Sequence, residues 1–76
     1  MALNLPEAYR LSELEEVVGT LYSITATDIG LIAVVGKISV RLPYELEVKL
    51  KDSIGQRVAI LRLDGYHVRS LDEAQV

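Results

Sequence analysis

The chain has 76 residues, half of them hydrophobic, and a net charge of −3. That length admits one domain with a thin stability margin, since so small a chain buries only about 60% of its unfolded surface. The absence of cysteine excludes disulfides and cysteine-bearing zinc sites, and no apolar run approaches the roughly 18 residues of a membrane helix.

The first residues lack the basic start and long apolar stretch of a secretory leader, which points to a cytoplasmic protein with no membrane association. Residues 1–5 and 72–76 read as loose ends of a single domain spanning 1–76. Pro6 suits the first position of a helix, and Ser12 followed by Glu15 makes a capping-box pattern. Leu11, Leu14 and Val18 fall at helical spacing and Gly19 closes the segment, so the spacing predicts a helix within 6–18 lying against a sheet.

Residues 20–27 are rich in β-branched side chains and tyrosine and predict a strand, with Tyr22, Ile24 and Ala26 on one face and Leu21, Ser23 and Thr25 on the other. A turn follows at 28–30. Residues 31–42 are too long for one flat strand. If Gly36-Lys37 is a type II′ loop, Val35 faces Ile38, Ala33 faces Val40 and Leu31 faces Leu42, leaving Ile32, Val34, Ser39 and Arg41 on the other side. A glycine bulge in one bent strand would switch the faces equally well.

Residues 43–55 carry two patterns. With period two, Tyr44, Leu46, Val48 and Leu50 alternate with charged residues; as a helix, Leu46, Leu50 and Ile54 form a stripe, and Glu45–Lys49 and Glu47–Lys51 are favourably ordered pairs. Pro43 near the start and Gly55 past the end favour the helix. Residues 57–71 then place two apolar runs around Asp64-Gly65, the signature of a hairpin with a two-residue loop. Such a loop opposes Leu63 to Tyr66, Leu61 to Val68 and Ala59 to Ser70 on a core face. It opposes Arg62 to His67, Ile60 to Arg69 and Val58 to Leu71 on an outer face.

The expected fold is mainly β, a small five-stranded antiparallel barrel with one or two short helices. Three strands, a helix and two strands across 20–71 resemble the element order of the OB-fold. With 44–51 as a strand, the alternative is an all-β SH3-like barrel or meander.

Catalysis is poorly provisioned. His67 is the lone histidine, no thiol accompanies it, and the five glycines stand singly, so neither a metal site, a nucleophilic dyad nor a phosphate loop is drawn. A non-enzymatic, cofactor-free binding module is expected. Its leading form is a protein-interaction or self-associating domain using an apolar outer face at Val58, Ile60 and Leu71, with a protein partner or a second copy. The alternative is single-stranded nucleic-acid binding through Arg41, Arg62, His67 and Arg69. It draws on the uneven charge, net −4 over residues 1–36 and +3 over residues 37–71. The OB resemblance implies a ligand lying between the loop joining strands 1 and 2 and the loop joining strands 4 and 5.

Overall fold

In the computed structural model, which describes residues 8–71, five antiparallel strands form one sheet in the order β3-β2-β1-β4-β5. β1 (Glu16–Thr27) is twice as long as any other strand and is shared along its length. Its first half pairs with β4 (Arg57–Arg62), from Glu16 opposite Leu61 to Thr20 opposite Arg57. Its second half pairs with β2 (Gly30–Val35), from Leu21 opposite Val35 to Thr27 opposite Gly30. β3 (Ile38–Leu42) and β5 (Tyr66–Ser70) flank these strands and are not paired with each other, so the sheet stays open.

The changeover in β1 occurs at Leu21, which is fully buried. Its N–H donates to the Gln56 carbonyl at 2.9 Å and its own carbonyl accepts from Gly55 N–H at 2.7 Å. A bulge between Leu21 and Ser23 drops Tyr22 out of the ladder, leaving it 61% exposed. The extra residue resets the alternation of faces, so Leu21 and Ile24 both turn toward the core, and the faces expected for 20–27 are corrected accordingly.

The β2–β3 hairpin has the register expected for a Gly36-Lys37 loop: Val35 faces Ile38, Ala33 faces Val40 and Leu31 faces Leu42. Gly36 supplies the positive φ, +61°, that a type II′ turn needs at its first central position. Residues 44–51 form a 3₁₀ turn (Tyr44–Leu46) and the short helix α1 (Glu47–Lys51), which removes the strand reading of that segment. Leu50 is fully buried and Leu46 packs on the core, but Ile54 lies beyond the helix and is 46% exposed.

The β4–β5 hairpin is one residue out of the expected register. Asp64 and Gly65 do take positive φ, +53° and +117°, yet Arg62 pairs with Tyr66, Ile60 with Val68 and Val58 with Ser70, leaving Leu63, Asp64 and Gly65 in a three-residue loop. β5 keeps its expected faces, while those of β4 are exchanged. The cause is packing against β1: Val17 stands opposite Ile60 and Gly19 opposite Val58, so β4 turns its β-branched pair inward. The expected register would have put Ala59 there. The resulting cluster joins Val58, Ile60 and Val68 to Leu11, Val17, Leu21, Leu50 and the inward side of β2 and β3.

No helix forms across the described part of 6–18, and Pro6 lies outside the described residues. The Ser12–Glu15 pattern closes a single turn, with Glu15 N–H donating to the Ser12 carbonyl at 2.9 Å and Ser12 N–H to Glu15 Oε1 at 2.8 Å. Leu14 then takes φ +71°, which a right-handed helix cannot continue through, and Val17 and Val18 pass into β1. Residues 8–15 form instead an extended strap. Tyr9 bridges to the outer edge of β3 opposite Val40, Leu11 enters the core, and residues 14–15 bond to Arg62 at the end of β4.

Gly30 combines φ +135° with a position where a Cβ would stand 2.9 Å from the Leu42 carbonyl oxygen. Gly30→Ala should destabilise the domain by about 1–3 kcal/mol, read as a lower midpoint in urea unfolding with an unchanged slope.

Candidate functional site

The residues singled out from the sequence divide among three environments. Val58 and Ile60 are fully buried and Leu71 is half-buried, its N–H bonded to the Arg57 carbonyl. The apolar outer face expected at Val58, Ile60 and Leu71 is therefore corrected, because the one-residue register shift carries its first two members into the core.

His67 and Arg69 occupy the outer face of β5, across from Leu61 and Ala59. His67 is exposed and its Nε2 lies 2.9 Å from the Leu63 carbonyl oxygen, an arrangement satisfied when Nε2 carries the proton. Arg69 Nη2 lies 3.9 Å from Glu16 Oε2. Both belong to a different side of the sheet from Arg62.

Arg62 and Arg41 meet at an open pocket of about 280 Å³. Arg41, Leu42 and Pro43, where β3 ends, wall one side, and Arg62 and Tyr66, beside the β4–β5 loop, wall the other. Ile29 of the β1–β2 loop and Arg10 of the strap complete it. The pocket thus bridges β3 and the β4–β5 hairpin, which are not paired with each other. Three arginines and one tyrosine are thus among the residues that line one concavity.

Arg62 is the most constrained of the three. Its Nη1 donates to the Leu11 carbonyl at 2.8 Å, its Nε lies 3.9 Å from Glu13 Oε1, and its guanidinium carbon stands 5.6 Å from the centre of the Tyr66 ring, within cation–π range. Arg10 and Arg41 have no side-chain hydrogen bond or ion pair among the described residues.

Of the residues singled out from the sequence, Arg41 and Arg62 line this pocket; Arg10 and Tyr66 line it beside them and were not singled out. Tyr66 faces inward as expected, but at the end of β5 inward leads to the pocket wall. The signal for Arg10 was its isolation as the lone cation of residues 1–36, against five acidic residues.

The strap that carries Arg10 has its own clasp. The Tyr9 hydroxyl donates to both Glu15 carboxylate oxygens at 2.7 Å. The hydrogen bond from Ser12 N–H, and then that from Tyr9, hold the Glu15 carboxyl below its ordinary pKa of 4.5. The same bond to Glu15 raises Tyr9 above its ordinary 10.0. On the outer side of the domain, Tyr44 hydroxyl donates to the Thr27 carbonyl and ties the 3₁₀ turn to the end of β1.

Among the described residues, no three His, Cys, Asp or Glu side chains are grouped to hold a metal ion, and no helix is long and apolar enough to cross a membrane. No family model, no curated protein and no solved structure matches the chain.

The clasp makes strap docking pH-dependent at both ends. A lowered carboxyl pKa contributes stability above about pH 4.5 that is lost as pH falls through the folded value. A raised phenol pKa contributes stability below about pH 10 that is lost as pH rises through the folded value. NMR titration should therefore give Glu15 a midpoint below 4.5, and Tyr9→Phe should move that midpoint upward while leaving the Ser12 contribution in place.

Proposed function

We propose that this domain binds single-stranded nucleic acid across the pocket formed by Arg10, Arg41, Arg62 and Tyr66, without catalysing a reaction on it. The observation that carries the reading is that three arginines and one tyrosine line a single concavity together with Ile29 of the β1–β2 loop, two of them, Arg62 and Tyr66, flanking the β4–β5 loop. Phosphates suit the arginines, and unstacked bases suit aromatic rings and guanidinium planes.

The strand order supports the same reading. The order β3-β2-β1-β4-β5 with a helix between β3 and β4 is compatible with an OB-like reading, in which β3 and β5 would be the strands to meet, and in this open sheet they do not. In that architecture ligands lie between the first and fourth interstrand loops. Here the first loop contributes Ile29, and the fourth is flanked by Arg62 and Tyr66. The net charge of −3 makes the domain a weak nonspecific polyanion binder, so affinity rests on the local cluster and not on the global field.

Fluorescence anisotropy with a labelled oligothymidylate tests this. For about three phosphate contacts, the logarithm of affinity should fall with the logarithm of salt with a slope near −2. Arg10→Ala and Arg41→Ala should each weaken binding and reduce the slope by about 0.7. Arg69→Ala, on the other side of the sheet, should leave both unchanged. Binding that ignores salt, or that follows Arg69 and not Arg41, would overturn the assignment.

A further inference from the structure

Arg10 is held in the pocket by a segment whose anchors are the other two pocket arginines. One residue before it, the Tyr9 carbonyl accepts the Arg41 backbone N–H at 3.0 Å, and Tyr9 N–H donates to the Ser39 carbonyl at 2.7 Å. One residue after it, the Leu11 carbonyl accepts from the Arg62 guanidinium at 2.8 Å. Arg10 is thus suspended between Arg41 and Arg62. Beyond Leu11, Glu13 fixes the strap to the hairpin, accepting Asp64 N–H on Oε2 at 2.8 Å and lying 3.9 Å from Arg62 on Oε1. Leu14 N–H donates to the Arg62 carbonyl at 2.6 Å.

We infer that the strap is a working part of the binding site and docks cooperatively with the ligand, with Glu13 as the positioning residue that secures it. This inference rests on the nucleic-acid reading above and specifies how that site is regulated. An anionic strand that engages Arg10 together with Arg41 and Arg62 ties the strap to both ends of the open sheet. Docking of the strap, in turn, presents the third arginine to the strand. By linkage, each event strengthens the other by the same factor. The Leu11 carbonyl and the Glu13 carboxylate orient Arg62 from the strap side, so even the sheet-borne arginine depends on the strap for its direction.

The role of Glu13 gives the inference a test of sign. On charge alone, removing a carboxylate beside a phosphate site tightens binding. If Glu13 holds the strap, its removal weakens binding despite that gain. Glu13 is exposed and outside the core, so Glu13→Ala removes no core contact. The measurement pairs anisotropy titrations of an oligothymidylate against unmodified chain and Glu13→Ala with hydrogen exchange at the Tyr9, Leu14 and Glu15 amides, free and oligonucleotide-bound.

The expected result is binding at least about fivefold weaker in Glu13→Ala at one salt concentration, the lower end of ordinary coupling between sites. Ligand-induced protection of the three strap amides should accompany it in the unmodified chain and shrink in the variant. Oligonucleotide binding with unchanged strap protection, or with tighter affinity in Glu13→Ala, overturns the coupling and leaves the binding reading standing. Failure of the unmodified chain to bind oligonucleotide at low salt overturns that reading, and the coupling with it.

Discussion

The arrangement of the molecule depends on one strand serving two partners in succession. β1 meets β4 through its first half and β2 through its second, and Leu21 is the residue at which the partnership changes. There the backbone is bonded to residues 55 and 56 on one side and the side chain is buried against the core on the other. A straight strand could not do this and keep both halves apolar toward one interior. The bulge at Tyr22 solves the problem by discarding one residue from the alternation. Gly19 helps at the same corner, since any side chain there would press on Gly36.

Sharing β1 in this way leaves β3 and β5 at opposite ends of the sheet. The arginine-lined pocket lies in the space between them. The strap crosses that space from the edge of β3 to the end of β4, planting Leu11 in the core on the way. Arg62 is where strap, hairpin and pocket meet: its backbone closes onto residues 14 and 15, while its side chain reaches Leu11, Glu13 and Tyr66. A single residue therefore contributes to closure of the fold through its backbone and to the charge at the pocket through its side chain.

Local information in the sequence proved sufficient where turn chemistry and face pattern agreed. The β2–β3 hairpin is the clearest case, because Gly36 fixes the turn and both strands have one wholly apolar side. The β4–β5 hairpin had an equally strong turn signal, and its loop residues do adopt positive φ, but β4 is apolar on both sides. With no polar alternation to choose between registers, packing against Val17 and Leu21 decided it. The strap was illegible for a related reason. Ser12 and Glu15 make the hydrogen bonds of a helix start, and only the left-handed turn at Leu14, which no residue type there announces, diverts the chain into a strand. Arg10 and Tyr66 were not grouped with Arg41 because their sharing of one pocket is created by long-range closure, on which sequence spacing is silent.

The bridge between Tyr9 and β3 has a bearing on colloidal behaviour. A terminal strand with bare amides and carbonyls is a template for adding further chains. The bonds to Tyr9 occupy the Ser39 carbonyl and the Arg41 amide, two groups that β3 would otherwise offer outward. At the far margin, β5 presents exposed Arg69, a charged side chain of the kind that discourages pairing at a sheet edge. One rim of this small sheet thus carries an exposed charge and the other a backbone shield, so a condition that lifted the shield would bare an edge able to add further strands.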